Sequence, residues 1–235
     1  MPSGTLYLIP VPISETDLSL VVPNYNSELV NSLAYFIAED AKNARRFLKQ
    51  CNYADISKAE IAELNEHTKS NSVSELIKPL IEGKNVGLLS DAGCPGIADP
   101  GADVVKLAHQ KNIVVKPLIG PSSIVLSIMA SGFNGQNFAF VGYLPIEKPQ
   151  RGKRIKELEN LAVKSNQAQF FIETPYRNGQ LFDDLIQTLQ PETLLFIGIN
   201  LTSSSEKLIS RTVKMWKQMP KPDFHKIPAV FGIYR

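Results

Sequence analysis

The sequence predicts an α/β protein with mostly parallel sheets and covering helices, organised as two domains. Two observations predict the class. Strand-like apolar runs alternate with segments of helical periodicity nearly throughout the 235 residues, the pattern of βαβ construction. Composition, at 43% hydrophobic and 20% charged, is that of an ordinary globular protein. A Pro- and Gly-containing break, "PLIGPS", suggests domains over 1–118 and 119–235, each within the usual size range.

Taken in order, "GTLYLIPVPI" opens with a β-rich run stopped by prolines. A second run, "SLAYFIAED", ends in two carboxylates. "AKNARRFLKQCN" has helical spacing, with Ala44, Phe47, Leu48 and Cys51 on one face. "SVSELIKPLIEGK" reads as a helix capped by Ser72 or Ser74 and closed at Gly83, with Pro79 a defect inside it. "NVGLLS" is a buried strand, "ADVVKLAHQ" a helix, "NIVVKPLIG" a strand, and "SSIVLSIMASG" a helix closed by Gly132. The strand "FAFVGYLP" is rich in aromatic and β-branched residues. Helix "RIKELENLAVK", strand "AQFFIET", helix "GQLFDDLIQTLQ", strand "TLLFIGIN", helix "EKLISRTVKMWKQM" and strand "PAVFGIY" complete the chain. The last strands could run in either direction.

Composition limits the function. Cys51 and Cys94 are far apart and, like His67, His109 and His225, form no ligand pattern, so neither a disulfide framework nor zinc is indicated. No secretory signal and no run long enough to span a bilayer is visible, and a cytoplasmic protein is expected. A net charge of +2 does not predict nucleic-acid binding by bulk electrostatics. Two local basic clusters, "ARRFLK" and "EKPQRGKRIK", could still bind nucleic acid, although solvated helix faces are the plainer reading. Neither G-x-G-x-x-G after a strand nor G-x-x-x-x-G-K-[ST] occurs, which weakens NAD and ATP readings.

The chemistry-bearing residues gather where strands end, the place where ligands bind in open α/β sheets. In "SDAGCPGIADPG", Asp99 and Pro100 suit a helix start, while Asp91 before Ala-Gly suits a polar ligand lying against the backbone. In "PLIGPSS", Ser122 and Ser123 serve either as caps or as ligand donors. In "FFIETPYR", Glu173 either pairs with Arg177 or faces a cleft. In "AED", Asp40 either caps a helix or works with Glu39 as an acid or base. Such junctions, all at strand ends, could line one cleft.

In this order the motifs resemble the tetrapyrrole methylase superfamily, which uses S-adenosylmethionine. The likeness is to its ribosomal RNA small subunit methyltransferase I group, and it spans residues 4 to about 207. The group's S-D-A-G-T-P-x-I-x-D-P-G stands here as "SDAGCPGIADPG", its A-E-D-T-R as "AEDAKNAR", its P-L-P-G-P-S-A as "PLIGPSS", its F-x-G-F-L-P as "FAFVGYLP" and its F-Y-E-S-P-H-R as "FIETPYR". There are departures. The group's Gly-Asn-Leu after the first strand is Ser14-Glu15-Thr16, its Thr-Arg is Ala41-Lys42, its D-H-N region is "NEHTKSN", and its late E-L-T-K-x-x-E is "NLTSSSE".

The resemblance implies two α/β domains with S-adenosylmethionine in the cleft between them, a homodimer, and no metal. It places Pro12, Ser90, Asp91, Ala92, Gly93, Pro121, Ser122, Ser123, Leu144, Phe171, Leu201 and Thr202 at the cofactor. It leaves Glu39, Asp40 and Glu173 as candidates for removing the acceptor's proton. The implied acceptor is a ribose 2′-hydroxyl of small-subunit ribosomal RNA. A tetrapyrrole or corrinoid precursor is the alternative, but that branch opens with a Gly-rich loop where "PVPISE" stands. A non-catalytic, ribosome-associated module is the other alternative, raised by the departures. A free thiol at Cys94, beside an alkylating cofactor, would have to stay protonated or point away.

Overall fold

The computed structural model describes residues 2–64 and 70–235, so part of "NEHTKSN" lies outside the described residues. The chain divides into two compact units, Met1–Ser122 and Ser123–Arg235. The division falls four residues beyond the expected 118/119. Residues 119–122 stay with the first unit because their carbonyls are used there: the Asn26 amide donates to Ile119 O at 2.8 Å and the Cys94 thiol reaches Pro121 O at 3.5 Å. At Gly120 a Cβ would lie 2.3 Å from Pro10 Cβ, so only glycine permits this close approach.

The first unit is a five-stranded sheet in the order β3-β2-β4-β1-β5: β1 Thr5–Ile9, β2 Tyr35–Ala38, β3 Glu60–Glu63, β4 Val86–Leu89 and β5 Val114–Pro117. All its pairings are parallel. The helices are α1 Leu18–Val21, α2 Asn24–Ser32, α3 Ala41–Gln50, α4 Ser70–Leu76, α5 Lys78–Ile81 and α6 Gly101–Gln110. Every residue of β4 is buried, as befits a central strand covered on both faces. Val86, Leu88 and Ile37 join Leu80, Val104 and Ala108 in one core, while Phe36, Ala38 and Leu89 join Val30, Phe47 and Leu48 in another. The predicted face of α3 is the buried one: Ala44, Phe47, Leu48 and Cys51 all sit in the second of these cores.

The predicted helix over "SVSELIKPLIEGK" is two helices. It is already under way at Ser70, so Ser72 and Ser74 lie inside it rather than capping it, and it breaks at Ile77 where Pro79 enters the first turn of α5. Gly83, at φ +86°, follows the end as expected.

The second unit has β6 Phe138–Tyr143, β7 Ala168–Ile172, β8 Leu194–Ile199, β9 Lys207–Thr212 and β10 Ala229–Tyr234 in the order β6-β7-β10-β8-β9. Its helices are α7 Ser123–Ser131, α8 Lys148–Lys164, α9 Asn178–Thr188 and α10 Val213–Trp216. β6 and β7 are parallel, whereas β10 inserts antiparallel between β7 and β8, and β9 runs antiparallel on β8. Mostly parallel pairing therefore holds for the molecule, with the antiparallel pairs confined to this sheet. One element is corrected outright. "EKLISRTVKMWKQM" is not a long helix but β9 followed by the single turn of α10. Thr212 ends the strand and caps that turn through Met215 N–H at 3.3 Å. Trp216 is then buried with its indole N–H on Leu195 O at 2.9 Å.

Candidate functional site

Parallel register in the first unit brings the strand ends to one edge. Ala38 and Ile9 both stand opposite Leu89, and Leu8 stands opposite Pro117. The residues that follow, at 10–16, 39–40, 90–93 and 118–122, therefore leave the sheet from its carboxyl end, where α/β ligand sites form.

The loop after β4 is clamped to the loop after β1. Val11 and Gly93 exchange backbone hydrogen bonds of 3.0 and 3.1 Å, an isolated antiparallel bridge. The buried Ser90 hydroxyl donates to Gly93 O at 2.9 Å and closes the turn. Gly93 itself sits at φ +76°, where an added Cβ would meet Ile13 Cγ2 at 3.3 Å and Pro121 O at 3.5 Å. Ser90 and Gly93 thus shape the turn, and Asp91 and Ala92 are exposed at its tip. Asp91 Oδ2 accepts from the Asn43 amide of α3 at 3.0 Å.

The second half of the loop is structural. Asp99 Oδ1 accepts from Gly96 N–H at 2.7 Å and from Gly101 N–H, the first of α6, at 2.8 Å. Burial, with a smaller contribution from Asp91, raises the Asp99 carboxyl above its ordinary value, and the two backbone bonds only partly offset this. Cys94 turns its thiol toward Pro121 O, and burial raises its pKa too.

Between the two clamped loops and α3 lies a pocket of about 430 Å³, within the range of small-molecule sites. Val11, Ile13 and Phe47 supply apolar wall, Asp91 and Glu15 carboxylates, and Asn43, Arg46 and Gln50 a polar flank. Of the predicted cofactor residues, Pro12, Ser90, Asp91 and Ala92 line it. Gly93, Pro121 and Ser122 do not line it, although Gly93 packs close to Ile13, which does. The contribution of α3 was missed, since a helix reads as amphipathic from its apolar face and its polar face carries no motif. Among the candidate bases, Asp40 caps α3 through Asn43 N–H at 2.7 Å, and Glu39 is half-buried just before it.

The remaining predicted residues lie in the second unit. Glu173 is buried, with Oε1 accepting from Thr174 N–H at 2.6 Å and from the Arg177 guanidinium at 2.7 Å. The pairing raises the arginine's pKa still further. Leu144 and Phe171 belong to the hydrophobic core, the Phe171 ring stacked on Phe231, so only their backbones could meet a ligand. Leu201 is buried, and Thr202, at φ +66°, donates its N–H to Glu206 at 2.7 Å. Ser123 opens α7. Among the described residues no group of histidine, cysteine or carboxylate side chains is placed to hold a metal ion, and no helix is long and apolar enough to cross a membrane.

The fold is that of a solved methyltransferase. The crystal structure of the methyltransferase CobJ covers the whole chain, and 95% of its own, at a TM-score of 0.65 and 12% identity. No family model matches the chain, but curated relatives do. Ribosomal RNA small subunit methyltransferase I of Bacillus subtilis is 30% identical over 210 residues, 89% of this chain and 68% of its own. The enzymes of that name from Halalkalibacterium halodurans and Vibrio cholerae are 32% identical over 186 residues and 28% over 210, or 79% and 88% of this chain. The chain belongs to the ribosomal RNA small subunit methyltransferase I family. It spans 61% of the length of the Halalkalibacterium relative and 69% of the Vibrio one.

Proposed function

We propose that the chain is an S-adenosylmethionine-dependent methyltransferase whose acceptor is a ribose 2′-hydroxyl of small-subunit ribosomal RNA. The observation that carries this reading is the turn Ser90–Gly93, the family's S-D-A-G, pinned by the Val11 bridge so that Asp91 and Ala92 face the pocket. Carboxylates beside a guanidinium and apolar wall suit a ligand with an ammonium, a carboxylate and an aromatic base. When bound, the cofactor supplies a methyl already attached to an activated leaving group. What remains for the protein is to align donor and acceptor and keep water out, which can lower a barrier by about 7–11 kcal/mol. The acceptor hydroxyl must also lose its proton. Glu39, Asp40 and Glu173 are the candidate bases, with Asp40 also capping α3 and Glu173 also paired with Arg177. The cofactor roles of Pro121, Ser122, Ser123, Leu144, Phe171, Leu201 and Thr202 and the homodimer rest on the family resemblance; the cytoplasmic location is the expectation drawn from the sequence.

Labelled-methyl transfer tests the reading, with undermethylated small subunits, bare small-subunit RNA and tetrapyrrole precursors as acceptors. Label in RNA is expected. Label only in a tetrapyrrole would overturn the acceptor. Tight cofactor binding by calorimetry with no acceptor labelled would leave a binding module instead of an enzyme.

A further inference from the structure

We infer that the outward face of α3, carrying Lys42, Arg45, Arg46 and Lys49, takes the phosphate backbone of the RNA and leads it to the pocket. The inference rests on the RNA reading above and names the surface through which it would act.

The four cations fall at i, i+3, i+4 and i+7, one stripe of a helix, directly opposite the buried stripe of Ala44, Phe47, Leu48 and Cys51. All four are exposed, and α3 contains no acidic residue. Among the described residues none of the four forms an ion pair. The other basic cluster, which looks equivalent in sequence, is different. On α8, Arg151 is buried against Asp184, Lys148 reaches the same carboxylate, and Arg154 pairs with Glu157. Three of its five cations have carboxylate partners, one of them inside the fold, whereas all four of α3 are presented to solvent without one.

Like charges at this spacing repel one another, and nothing on the helix offsets that repulsion. A polyanion would. From Lys42 to Lys49 the stripe runs about 10 Å along the axis, a length over which a nucleic-acid strand presents several phosphates. A membrane-surface helix would turn large apolar residues outward beside its lysines, but here the apolar face is inside the protein. The stripe is also continuous with the pocket: Asn43, Arg46 and Gln50 of the same helix line it. A backbone held on the face would bring its ribose to the mouth where Asp91 and Ala92 stand.

The test uses the variant Lys42→Gln/Arg45→Gln/Lys49→Gln, leaving Arg46 intact because it lines the pocket. Binding of a fluorescent small-subunit RNA fragment is measured from low to physiological salt. The variant should bind at least tenfold more weakly at low salt, and the slope of log affinity against log salt should fall by about 2–3, roughly one per lost phosphate contact. Cofactor affinity by calorimetry should be unchanged, and the melting temperature should hold or rise slightly as the repulsion along the helix is relieved. Lys153→Gln/Lys156→Gln on α8 should keep the wild-type slope. An unchanged slope in the triple variant, with the wild-type protein binding RNA, overturns this face and leaves the RNA reading standing. A wild-type protein that neither binds nor methylates RNA overturns both. Weakened binding to intact subunits but not to bare RNA would assign the face to a protein partner and overturn the inference.

Discussion

Cys94 occupies a position where the family usually has threonine, one residue beyond a glycine that shapes the pocket. Its thiol avoids the pocket by turning to Pro121 O, and burial raises its pKa. Cys51 is deeper, in the core under α3, and is pushed up to about 11. Only the thiolate is a good nucleophile, so both thiols should react with a disulfide reagent far more slowly than free cysteine at pH 8. Both should titrate at once in denaturant, with Cys94 the faster of the two in the native protein. Fast labelling of Cys94 at neutral pH would show that the thiol faces the pocket. The neighbouring Gly93 is held at a positive φ by its bridge to Val11. A valine there must adopt a conformation costing about 1–2 kcal/mol, against Ile13 and Pro121. Gly93→Val should lower stability by about that much in urea unfolding and weaken cofactor binding at least tenfold in calorimetry. Unchanged affinity in the folded variant would remove this turn from the site.

At the scale of elements, the loop from β4 to α6 is held by Asp99, one carboxylate oxygen tying Gly96 to the first N–H of the helix. Asp99→Ala should cost about 1–3 kcal/mol, since two partly buried backbone donors lose their acceptor. Asp99→Asn keeps an oxygen there and tests the charge. Because burial raises the folded pKa of Asp99, the folded state holds this proton more firmly than the unfolded chain. Its contribution to stability is greatest below the ordinary carboxylate range and is lost as pH rises through the raised value. The stability of wild type relative to Asp99→Asn should therefore decline across that window and then level off, in denaturant titrations at successive pH values. Elements such as α3 and β4 were legible because burial and periodicity agree: an apolar stripe in one, an unbroken apolar run in the other. β9 was not, because "KLISRT" becomes a strand by pairing antiparallel with the preceding strand β8, a partner that a helical window over 206–219 leaves out. β3 is only Glu60–Glu63, with both ends exposed, too short for periodicity to register. The site divides the same way. The S-D-A-G motif is readable as a string, but the Val11–Gly93 bridge joins residues far apart in sequence, and Arg46 enters the pocket from a helix whose apolar face drew the reading.

At the scale of the molecule, each unit carries its own hydrophobic interior. The first has its cores on the two faces of a parallel sheet. The second is built around β7, β8 and β10, with Leu158, Phe171, Leu185, Trp216 and Phe231 among its members. Parallel strands joined through helices explain why the strands of the first unit other than β3 were read one by one, whereas insertion of the last strand between β7 and β8 is a topological fact that no local segment encodes. Separate interiors predict separable stability, since domains tend to fold as units. Leu185 is fully buried in the second core, and Leu185→Ala removes about 2–5 kcal/mol there, depending on how far the neighbours collapse into the cavity. Native-state hydrogen exchange should then show β8 and β10 losing protection by roughly that amount while β1 and β4 keep most of theirs. Equal loss in both sheets would mean that the two interiors open together and that the chain has a single cooperative unit.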